Sequence, residues 1–255
     1  MLLAVDIGNT SITFGVFDNE ELCATCRIAT VIHRMADEYA VLLLNLLRHH
    51  GLDKADIKEG ALCSVVPPLT ATFEELSQRY FNISPLVVGA GVKTGVRIRL
   101  DNPREVGADR IVDAAAAHHL YSGPVIIVDL GTATTFDAVS KEGDYLGGAI
   151  APGITTAAEA LFTRTAMLPR VELVHPKHAI GTNTITAMQS GIVFGYVGLV
   201  EGVVARIQQE LGGKAKVVAT GGYAELIAKE TAVIDEVNPD LTLVGLRLIY
   251  LMNKA

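Results

Sequence analysis

The sequence has no tryptophan, and aromatic residues make up only 5% of its 255 positions. Aromatic side chains are the platforms on which unpaired bases stack in single-strand binding proteins. The 21 lysines and arginines are outnumbered by 28 aspartates and glutamates, which gives a net charge of −7. Nucleic acids and anionic membranes are bound through clustered basic residues. The composition therefore predicts no nucleic-acid or membrane partner, and it leaves small ligands open because local groups hold them.

Cysteines and long apolar runs are also scarce. The three cysteines, an odd number, fit a reducing compartment. Although Cys23 and Cys26 have a C-x-x-C spacing, they fall in a predicted strand, where residues three apart point to opposite faces. No uninterrupted apolar run approaches the roughly 18 residues of a membrane-spanning helix, and residues 1–5 show no basic segment or cleavage site. We therefore expect packing thiols and a cytoplasmic protein.

A repeated Val-Asp-x-Gly turn is the strongest pattern present. Val5-Asp6-Ile7-Gly8 returns as Val128-Asp129-Leu130-Gly131, each time after an apolar run and before a second β-like stretch. The glycine permits a sharp turn through which main-chain N–H groups approach an anion. In a chain of 255 residues of which 50% are hydrophobic, this repeat favours two globular domains. Two such turns facing each other would hold the phosphates and metal ion of a nucleotide.

Apolar periodicity and turn signals predict a similar element order in both halves. The first half is predicted to have strands at 2–7, 10–17, 22–30, 60–66 and 85–88 and helices at 35–50, 69–80 and 108–120. The second half is predicted to have strands at 125–130, 134–140, 145–150 and 215–219 and helices at 155–162, 184–211, 225–229 and 238–252. This pattern predicts two α/β domains, residues 1–120 and 121–255, that face each other across a cleft.

Each Asp-Gly turn carries groups that suit phosphate chemistry. The segment Asp6 to Thr10 offers a carboxylate for a hydrated divalent cation and polar donors for phosphate oxygens. Three hydroxyls follow Asp129 and can donate to phosphate or coordinate a cation, namely those of Thr132, Thr134 and Thr135. A carboxylate at the end of a buried strand is costly without a cation or hydrogen-bond donors. One copy would fit an ordinary hairpin turn equally well, whereas two copies favour a function.

Two further segments add to the predicted site. The Thr220-Gly221-Gly222 segment lies at a strand-to-helix junction and leaves bare backbone for a ribose or a flat ring, so it is a candidate adenosine seat. The Gly107-Ala108-Asp109-Arg110 segment opens a helix, where a carboxylate is favoured by roughly 0.3 to 1 kcal/mol. Asp109 is therefore either a catalytic base or a charge that stabilises the helix. Asp113 lies one turn later on the same face and is the competing candidate.

The order of these segments resembles the actin, sugar kinase and Hsp70 superfamily, whose phosphate-1, phosphate-2 and adenosine motifs follow one another in this way. A closer resemblance, to type III pantothenate kinases, spans essentially the whole chain. It rests on D-I-G-N-T at 6–10, N-P-R-E-V-G-A-D-R at 102–110, D-L-G-T-A-T-T at 129–135, G-G-A-I-A-P-G at 147–153 and G-T-N-T at 181–184. The resemblance implies duplicated actin-like (ribonuclease H-like) domains. Each would be a mixed five-stranded sheet flanked by helices, with the active site in the cleft between them.

The same resemblance implies a reaction and its ligands. It implies ATP-dependent phosphorylation of pantothenate on its primary hydroxyl, which gives 4′-phosphopantothenate in the first step towards coenzyme A. The implied ligands are ATP, Mg²⁺ and a monovalent cation, either potassium or ammonium. The implied assembly is a homodimer with the substrate pocket near the subunit interface.

Residue roles are implied where positions match the family pattern. Asp109 would be the proton acceptor, ahead of Asp113, and pantothenate would be bound by Gly107, Ala108, Asp109, Arg110 and Thr184. The ATP phosphates would be surrounded by Asp6, Ile7, Gly8, Asn9, Thr10, Ser11, Ile12, Thr13 and Thr132, with Asp6 near magnesium. Asp129 would bind the monovalent cation. Leu100 departs from the pattern, because many members carry tyrosine at this position, and one substrate contact is thereby lost.

Two alternative functions fit the same fold. One is a kinase of another small hydroxyl compound such as a sugar, against which the segment Gly107 to Arg110 favours pantothenate. The other is a non-catalytic transcriptional accessory factor. The presence of Asp6, Asp109 and Asp129 and the acidic composition argue against that second alternative.

Overall fold

A computed structural model of the chain describes residues 1–254 and contains two β-sheets with helices around them. Its contacts divide the chain into two compact units. The first unit comprises residues 1–96, residues 102–116 and the segment that starts at Leu241. The second unit comprises residues 97–101 and 117–240.

The first unit starts with the predicted order βββαβαβ. Its elements are β1 (Leu2–Ile7), β2 (Ser11–Asp18), β3 (Glu21–Ala29), α1 (Ala36–His49), β4 (Glu59–Ser64), α2 (Pro67–Leu76) and β5 (Leu86–Val87). A 3-10 turn at Lys54–Asp56 precedes β4, and a π-helical turn at Ser77–Phe81 follows α2. The five strands form a mixed sheet in the order β3-β2-β1-β4-β5.

The central strand β1 is buried on both faces, which explains its uninterrupted apolar sequence. Residues Leu2 to Val5 are at most 5% exposed. One face of the strand packs against α1 and α2, and the other packs against the two remaining helices of this unit, α3 (Ala108–Leu120) and α7 (Leu241–Asn253). Because both faces are covered, the carboxyl end of the strand is where a polar side chain can reach a ligand.

The second unit repeats the meander and adds two long helical segments. Its elements are β6 (Arg97–Ile98), β7 (Val125–Leu130), β8 (Ala133–Val139), β9 (Asp144–Pro152), α4 (Ile154–Arg164), α5 (Thr184–Glu210), β10 (Lys216–Thr220), α6 (Ala224–Ala228) and β11 (Glu236–Val237). The sheet order is β11-β10-β7-β8-β9-β6, with β7 antiparallel to β8 and parallel to β10. The duplicated plan expected from the sequence is therefore present in two mixed sheets.

The second sheet has six strands, whereas the family resemblance implied five. The additional edge strand is β6, which pairs parallel with β9. Arg97 and Arg99 both form ion pairs with Asp144, at 2.6 and 2.9 Å, and so fix β6 beside β9. These ion pairs hold the pKa of Asp144 below its ordinary value, with the hydrogen bond from Arg99 as the largest cause. Strands of two residues are too short to show a period of two, so periodicity does not reveal β6.

The observed units also differ from the predicted division at residues 120 and 121. Helix α7 belongs to the first unit, because Leu243, Leu246 and Ile249 join the apolar core on the outer face of the first sheet. Gly245 allows α7 to approach α3 closely, since a β-carbon at this position would overlap the carbonyl oxygen of Val112. The chain therefore returns to its first unit after completing the second.

Helix α5 is the core helix of the second unit. Over residues 1–254 it is the one helix long and apolar enough to cross a membrane, with a mean hydropathy of 1.5, a property that the scarcity of uninterrupted apolar runs does not predict. Val193, Val200 and Val204 are completely buried in the core of this unit. The apolar character of α5 is therefore explained on one side by packing.

Candidate active site

The first Asp-Gly turn joins β1 to β2. The Gly8 N–H donates to the Ser11 carbonyl at 3.0 Å, and the Thr30 hydroxyl donates to the Gly8 carbonyl at 2.7 Å. A β-carbon on Gly8 would lie 3.0 Å from the Ser11 carbonyl oxygen, so the turn has no room for a side chain there. Asn9 and Thr10 are exposed at its tip. A fixed turn with bare backbone and exposed polar side chains fits a phosphate group.

The other residues of the predicted phosphate segment lie in the strands. Ile7 and Ile12 are completely buried, so their side chains belong to the core and only their main chain can face a ligand. Ser11 and Thr13 are half-buried. Thr13 is the register partner of Asp6 across the β1–β2 pair, so the two side chains lie on the same face of the sheet.

The Gly107 to Arg110 segment forms the start of α3. One carboxylate oxygen of Asp109, Oδ1, accepts a hydrogen bond from the Arg110 main-chain N–H at 2.8 Å. A β-carbon on Gly107 would overlap this same oxygen. Asp109 is half-buried, whereas Asp113, one turn later, is only 5% exposed. The carboxylate of Asp109 is therefore held against the bare backbone that precedes the helix.

Three carboxylates of the first unit act electrostatically on Cys63. Its thiol is completely buried in β4, and Cys63 is the register partner of Asp6 in β1. Burial raises the pKa of Cys63 well above its ordinary value, and the negative charges of Asp6, Asp109 and Asp113 raise it further. Charges act this way only over short distances. Asp6 and both candidate bases thus act electrostatically on one buried thiol, which no sequence motif marks.

The second Asp-Gly turn joins β7 to β8 and has a similar build. The Gly131 N–H donates to the Ala133 carbonyl at 3.1 Å. Thr132 is exposed at the tip, and its carbonyl accepts from the Gly153 N–H at 3.1 Å and from the Thr156 hydroxyl at 2.9 Å. These bonds fix the turn from the side of α4, and Thr132 itself is exposed at the tip.

One of the three threonines after Asp129 has no access to a ligand. Thr134 is completely buried, and its hydroxyl has no hydrogen-bond partner among residues 1–254. It lies on the face of β8 opposite to Asp129, because its register partner is Leu130. The expectation that Thr134 donates to phosphate or coordinates a cation is therefore wrong, and Thr132 and Thr135 remain candidates.

The candidate adenosine seat lies against Asp129. Gly221 has a φ of +91°, and a β-carbon on it would overlap the Asp129 carboxylate, so only glycine fits this junction. Thr220 is the register partner of Asp129 in the β7–β10 pair. Beyond the glycines, Tyr223 and Arg170 line a cavity of about 370 Å³. The second unit thus places the second Asp-Gly turn beside the predicted adenosine segment.

Two remaining residues of the sequence prediction lie elsewhere in the second unit. Thr184 is exposed at the first position of α5, after Asn183, whose side chain accepts from the Thr186 N–H at 2.9 Å and caps the helix. Thr184 lines an apolar groove of about 850 Å³ along α4 and α5. Leu100 lies over β9, where its Cδ2 would be 3.1 Å from a β-carbon on Gly147.

Known proteins with similar sequences are pantothenate kinases. A sequence model described as type III pantothenate kinase matches residues 2–206. The type III pantothenate kinase of Dehalococcoides mccartyi strain CBDB1 is 62% identical over 254 residues, which cover 100% of this chain and 97% of that protein. The type III pantothenate kinase of Moorella thermoacetica is 55% identical over 253 residues, which cover 99% of this chain and 100% of that protein.

Solved structures show the same fold at low identity. A Campylobacter jejuni protein described as a "conserved putative Baf family transcriptional activator" has a TM-score of 0.61 and 20% identity, and 98% of each chain is covered. The inorganic polyphosphate/ATP-glucomannokinase of an Arthrobacter species has a TM-score of 0.51 and 11% identity, and 99% of each chain is covered. At this identity the likeness concerns the fold alone, a duplicated actin-like plan, and it brings no regulatory role to this chain.

Proposed function

The chain belongs to the type III pantothenate kinase family, and we propose that Asp109 is the base in the reaction of this family. The reaction transfers the γ-phosphoryl group of ATP to pantothenate and begins coenzyme A biosynthesis. The enzyme is therefore a phosphotransferase that uses ATP with a divalent metal ion. A transcriptional role is not favoured, because the relatives of high identity are kinases.

The accessibility of Asp109 at the start of α3 is the observation that carries this proposal. A general base must come within hydrogen-bond distance of the hydroxyl that it deprotonates. Asp109 is half-buried in the first helical turn, whereas Asp113 is 5% exposed and lies among buried residues of the same helix. Asp6, Asp109 and Asp113 all raise the pKa of the Cys63 thiol, so this effect does not distinguish the two candidate bases, and their exposure does.

The proposed step can be written with its bonds and proton. The primary hydroxyl oxygen of pantothenate forms a bond to the γ-phosphorus while the bond from that phosphorus to the β–γ bridging oxygen breaks. Asp109 takes the hydroxyl proton, and ADP leaves with the electron pair of the broken bond. A positioned base of this kind contributes about 10²- to 10⁴-fold in rate. Most of the remaining acceleration comes from in-line positioning and from neutralisation of phosphate charge.

The two Asp-Gly turns are proposed to hold the phosphates. Main-chain groups of residues 6–13 and the side chain of Thr132 would donate to phosphate oxygens, with Asp6 on the magnesium side. Asp129 would bind a monovalent cation, potassium or ammonium. Its carboxylate lies against the bare backbone of Gly221, and oxygen ligands of this kind suit hard cations. Bound cations would supply positive charge that offsets the charge developing on the transferred group.

Pantothenate is proposed to bind along the start of α3. Gly107 and Ala108 offer main-chain groups, and Arg110 offers a guanidinium that suits the pantothenate carboxylate. Thr184 offers a hydroxyl at the exposed start of α5. Leu100 offers no hydrogen bond, so the contact that tyrosine makes in many family members is absent from this proposal.

We also propose that the enzyme is a homodimer through one face of α5. Gly191, Gly195 and Gly198 are exposed along this face, and no atom lies within 4 Å of the β-carbon that each would carry. The 18-residue apolar window of this helix is only 39% buried. Because these glycines carry no side chains, the same face of a second copy can pack closely against this one. A two-fold axis pairs identical surfaces in this way. We propose a cytoplasmic enzyme, and its net charge of −7 disfavours a nucleic-acid or anionic-membrane partner.

The assignment of the base can be tested with two matched carboxamide variants. Purified wild-type protein given ATP, Mg²⁺, K⁺ and pantothenate is expected to form ADP and 4′-phosphopantothenate. Asp109→Asn should lose at least about 10²-fold in kcat while nucleotide binding is kept. Asp113→Asn, with its melting temperature measured beside the wild type, should keep most of its kcat. Normal turnover of Asp109→Asn, or a loss confined to Asp113→Asn, would contradict the proposed base.

A further inference from the structure

We propose that Thr135 is a second side-chain ligand of the monovalent cation at Asp129, and that Asp137 is a positioning residue that orients the Thr135 hydroxyl. The inference rests on the proposed role of Asp129 as a cation ligand. It assigns a function to a hydrogen-bonded row of side chains on the second sheet, made of Thr135, Asp137 and Tyr145.

Strand register brings Thr135 beside Asp129. The two residues are directly paired across β7 and β8. Directly opposite residues of an antiparallel pair point to the same face, and their β-carbons lie about 4.5 to 5.5 Å apart. Asp137, two residues further along β8, points to this face as well. A cation that contacts the Asp129 carboxylate is therefore within reach of the Thr135 hydroxyl oxygen.

Hydrogen bonding fixes which part of the Thr135 hydroxyl is available. The hydroxyl donates to Oδ2 of Asp137 at 3.1 Å, and the Tyr145 hydroxyl donates to Oδ1 of the same carboxylate at 2.5 Å. A hydroxyl has one hydrogen and two lone pairs, and an ionised carboxylate only accepts. Because its hydrogen is directed to Asp137, the oxygen of Thr135 has only lone pairs to offer elsewhere. Lone pairs on oxygen are what a potassium ion binds.

The burial of Asp137 and Tyr145 argues against a role in packing alone. Asp137 is 1% exposed and Tyr145 is completely buried. Taking a carboxylate out of water is costly, and apolar residues of similar size often pack such sites with equal or greater stability. The short bond from Tyr145 compensates the buried carboxylate and holds it in one orientation. An ordered acceptor at Asp137 then keeps the Thr135 hydrogen turned away from the cation.

The site around Asp129 has the shape that this assignment needs. The bare backbone of Gly221 lies against the Asp129 carboxylate, so no side chain from that junction fills the adjoining space. The carboxylate of Asp129 and the hydroxyl of Thr135 are both oxygen donors, the class of ligand that hard cations prefer. From the sequence alone Thr135 is one of three equivalent hydroxyls after Asp129, whereas strand register and hydrogen bonding distinguish it from the other two.

The test compares Thr135→Val with the matched variant Thr134→Val. Both replace one threonine of β8 by a residue of the same shape, but Thr134 lies on the opposite face and its hydroxyl has no partner among residues 1–254. Asp137→Asn and Tyr145→Phe probe the positioning role. Each protein is titrated with KCl at constant ionic strength set by choline chloride. The first readout is the KCl concentration for half-maximal kinase activity. The second is the KCl concentration for half of the rise in melting temperature that KCl causes in the presence of Mg²⁺ and a non-hydrolysable ATP analogue.

In Thr135→Val the half-saturating KCl concentration should rise at least about 10-fold by both readouts, as is typical when a metal site loses a ligand or its support. Asp137→Asn should raise it by about the same factor, because an amide can donate to Thr135 and turn its lone pairs away. Tyr145→Phe should raise it less, and Thr134→Val should leave it unchanged. A purely structural network would lower the melting temperature of these variants without moving the half-saturating KCl concentration, and that result would overturn the inference.

The wild-type titration separates this inference from the proposal on which it rests. If neither KCl nor NH4Cl changes the activity or the melting temperature of the wild-type enzyme, the cation role of Asp129 fails and this inference fails with it. If the wild type responds to KCl and Thr135→Val responds at the same concentrations, Asp129 keeps its role and Thr135 and Asp137 lose theirs.

Discussion

A β-carbon at position 107 would overlap the Oδ1 atom of Asp109, so the residue before α3 and the carboxylate in its first turn occupy adjoining space. The same oxygen accepts the Arg110 N–H. The carboxylate therefore sits between bare backbone on one side and a main-chain donor on the other. Placement of a catalytic group within a fraction of an ångström governs its rate contribution. Gly107 is thus a residue that positions the proposed base.

Gly107→Ala is expected to displace the Asp109 carboxylate without unfolding the protein. Gly107 does not have a positive φ, so alanine is tolerated by the backbone and only the side-chain contact changes. Because a displacement of about 1 Å can cost 10²-fold, kcat should fall by about that factor. Steady-state kinetics and melting temperature check this. Gly89→Ala is the matched control, since nothing lies within 4 Å of its β-carbon position, and equal kcat values for both variants would contradict the positioning role.

Gly221→Ala is expected to impair the cation site in addition to straining the backbone. Gly221 and Gly51 have φ values of +91° and +74°, so alanine is strained at both, but only at Gly221 would the β-carbon overlap the Asp129 carboxylate. Gly51→Ala should lose about 1 kcal/mol of unfolding free energy, and Gly221→Ala should lose more, because its β-carbon would also overlap the main chain of Leu130. Only Gly221→Ala should also need more KCl for half-maximal activity. Urea unfolding and KCl titration measure the two effects. A normal KCl requirement in Gly221→Ala would contradict the prediction, because it would show that displacing the Asp129 carboxylate does not affect the cation site.

The buried thiol of Cys63 is expected to make stability fall in alkali. Because its pKa is raised in the folded state, its contribution to stability is complete below the ordinary value of 9.0 and is lost as the pH rises towards the folded value. The free energy of unfolding should fall by up to about 1.4 kcal/mol per pH unit in this window. Urea unfolding of the wild type and of Cys63→Ala from about pH 8 to about pH 10 isolates this loss as the difference between their slopes. Cys23→Ala, which removes an exposed thiol, should follow the wild type.

The same burial predicts selective chemical modification. Thiolates are the reactive form of cysteine, so a neutral buried thiol reacts slowly. With a thiol reagent at neutral pH, exposed Cys23 should be modified first and Cys63 only on unfolding. Rapid loss of all three thiols in the folded enzyme would show that the region around Cys63 opens.

The parts of the site that local sequence determines were predictable, and those that tertiary contacts determine were not. The Asp6 and Asp129 turns and the start of α3 follow from glycine, carboxylate and capping chemistry within a few residues. Asp109 acts electrostatically on Cys63 only because β4 pairs with β1 and α3 packs on that sheet, which no local pattern encodes. Strand β6 was not predictable either, because its two residues are too few to show the alternation of apolar and polar residues that marks a strand.

Side-chain direction separates the threonines of β8 in the same way. Thr134 and Thr135 are equivalent in composition and spacing, and only the pairing of β8 with β7 shows that one faces the core and the other faces Asp129. The domain to which helix α7 belongs is likewise not predictable from local sequence. Its apolar sequence predicts a buried helix, but its assignment to the first unit depends on the approach that Gly245 permits.

The proposed dimer face of α5 leads to a variant whose two effects have opposite signs. Gly195→Leu should stabilise α5 within a single subunit by up to about 1 kcal/mol, because glycine is a poor helix former. In the dimer, the same leucine would enter the space that the partner helix occupies, so the dimer should dissociate. Sedimentation velocity should therefore show monomers whose helix is intact by circular dichroism.

Gly213→Leu, which changes an exposed glycine beyond the end of α5, is the matched control and should remain dimeric. If Gly195→Leu sediments as the wild-type dimer does, the interface lies on another surface. If the wild type is itself a monomer, the homodimer proposal fails. A wild type that binds lipid vesicles through this helix, and loses that binding in Gly195→Arg, would instead assign the exposed apolar face to a membrane.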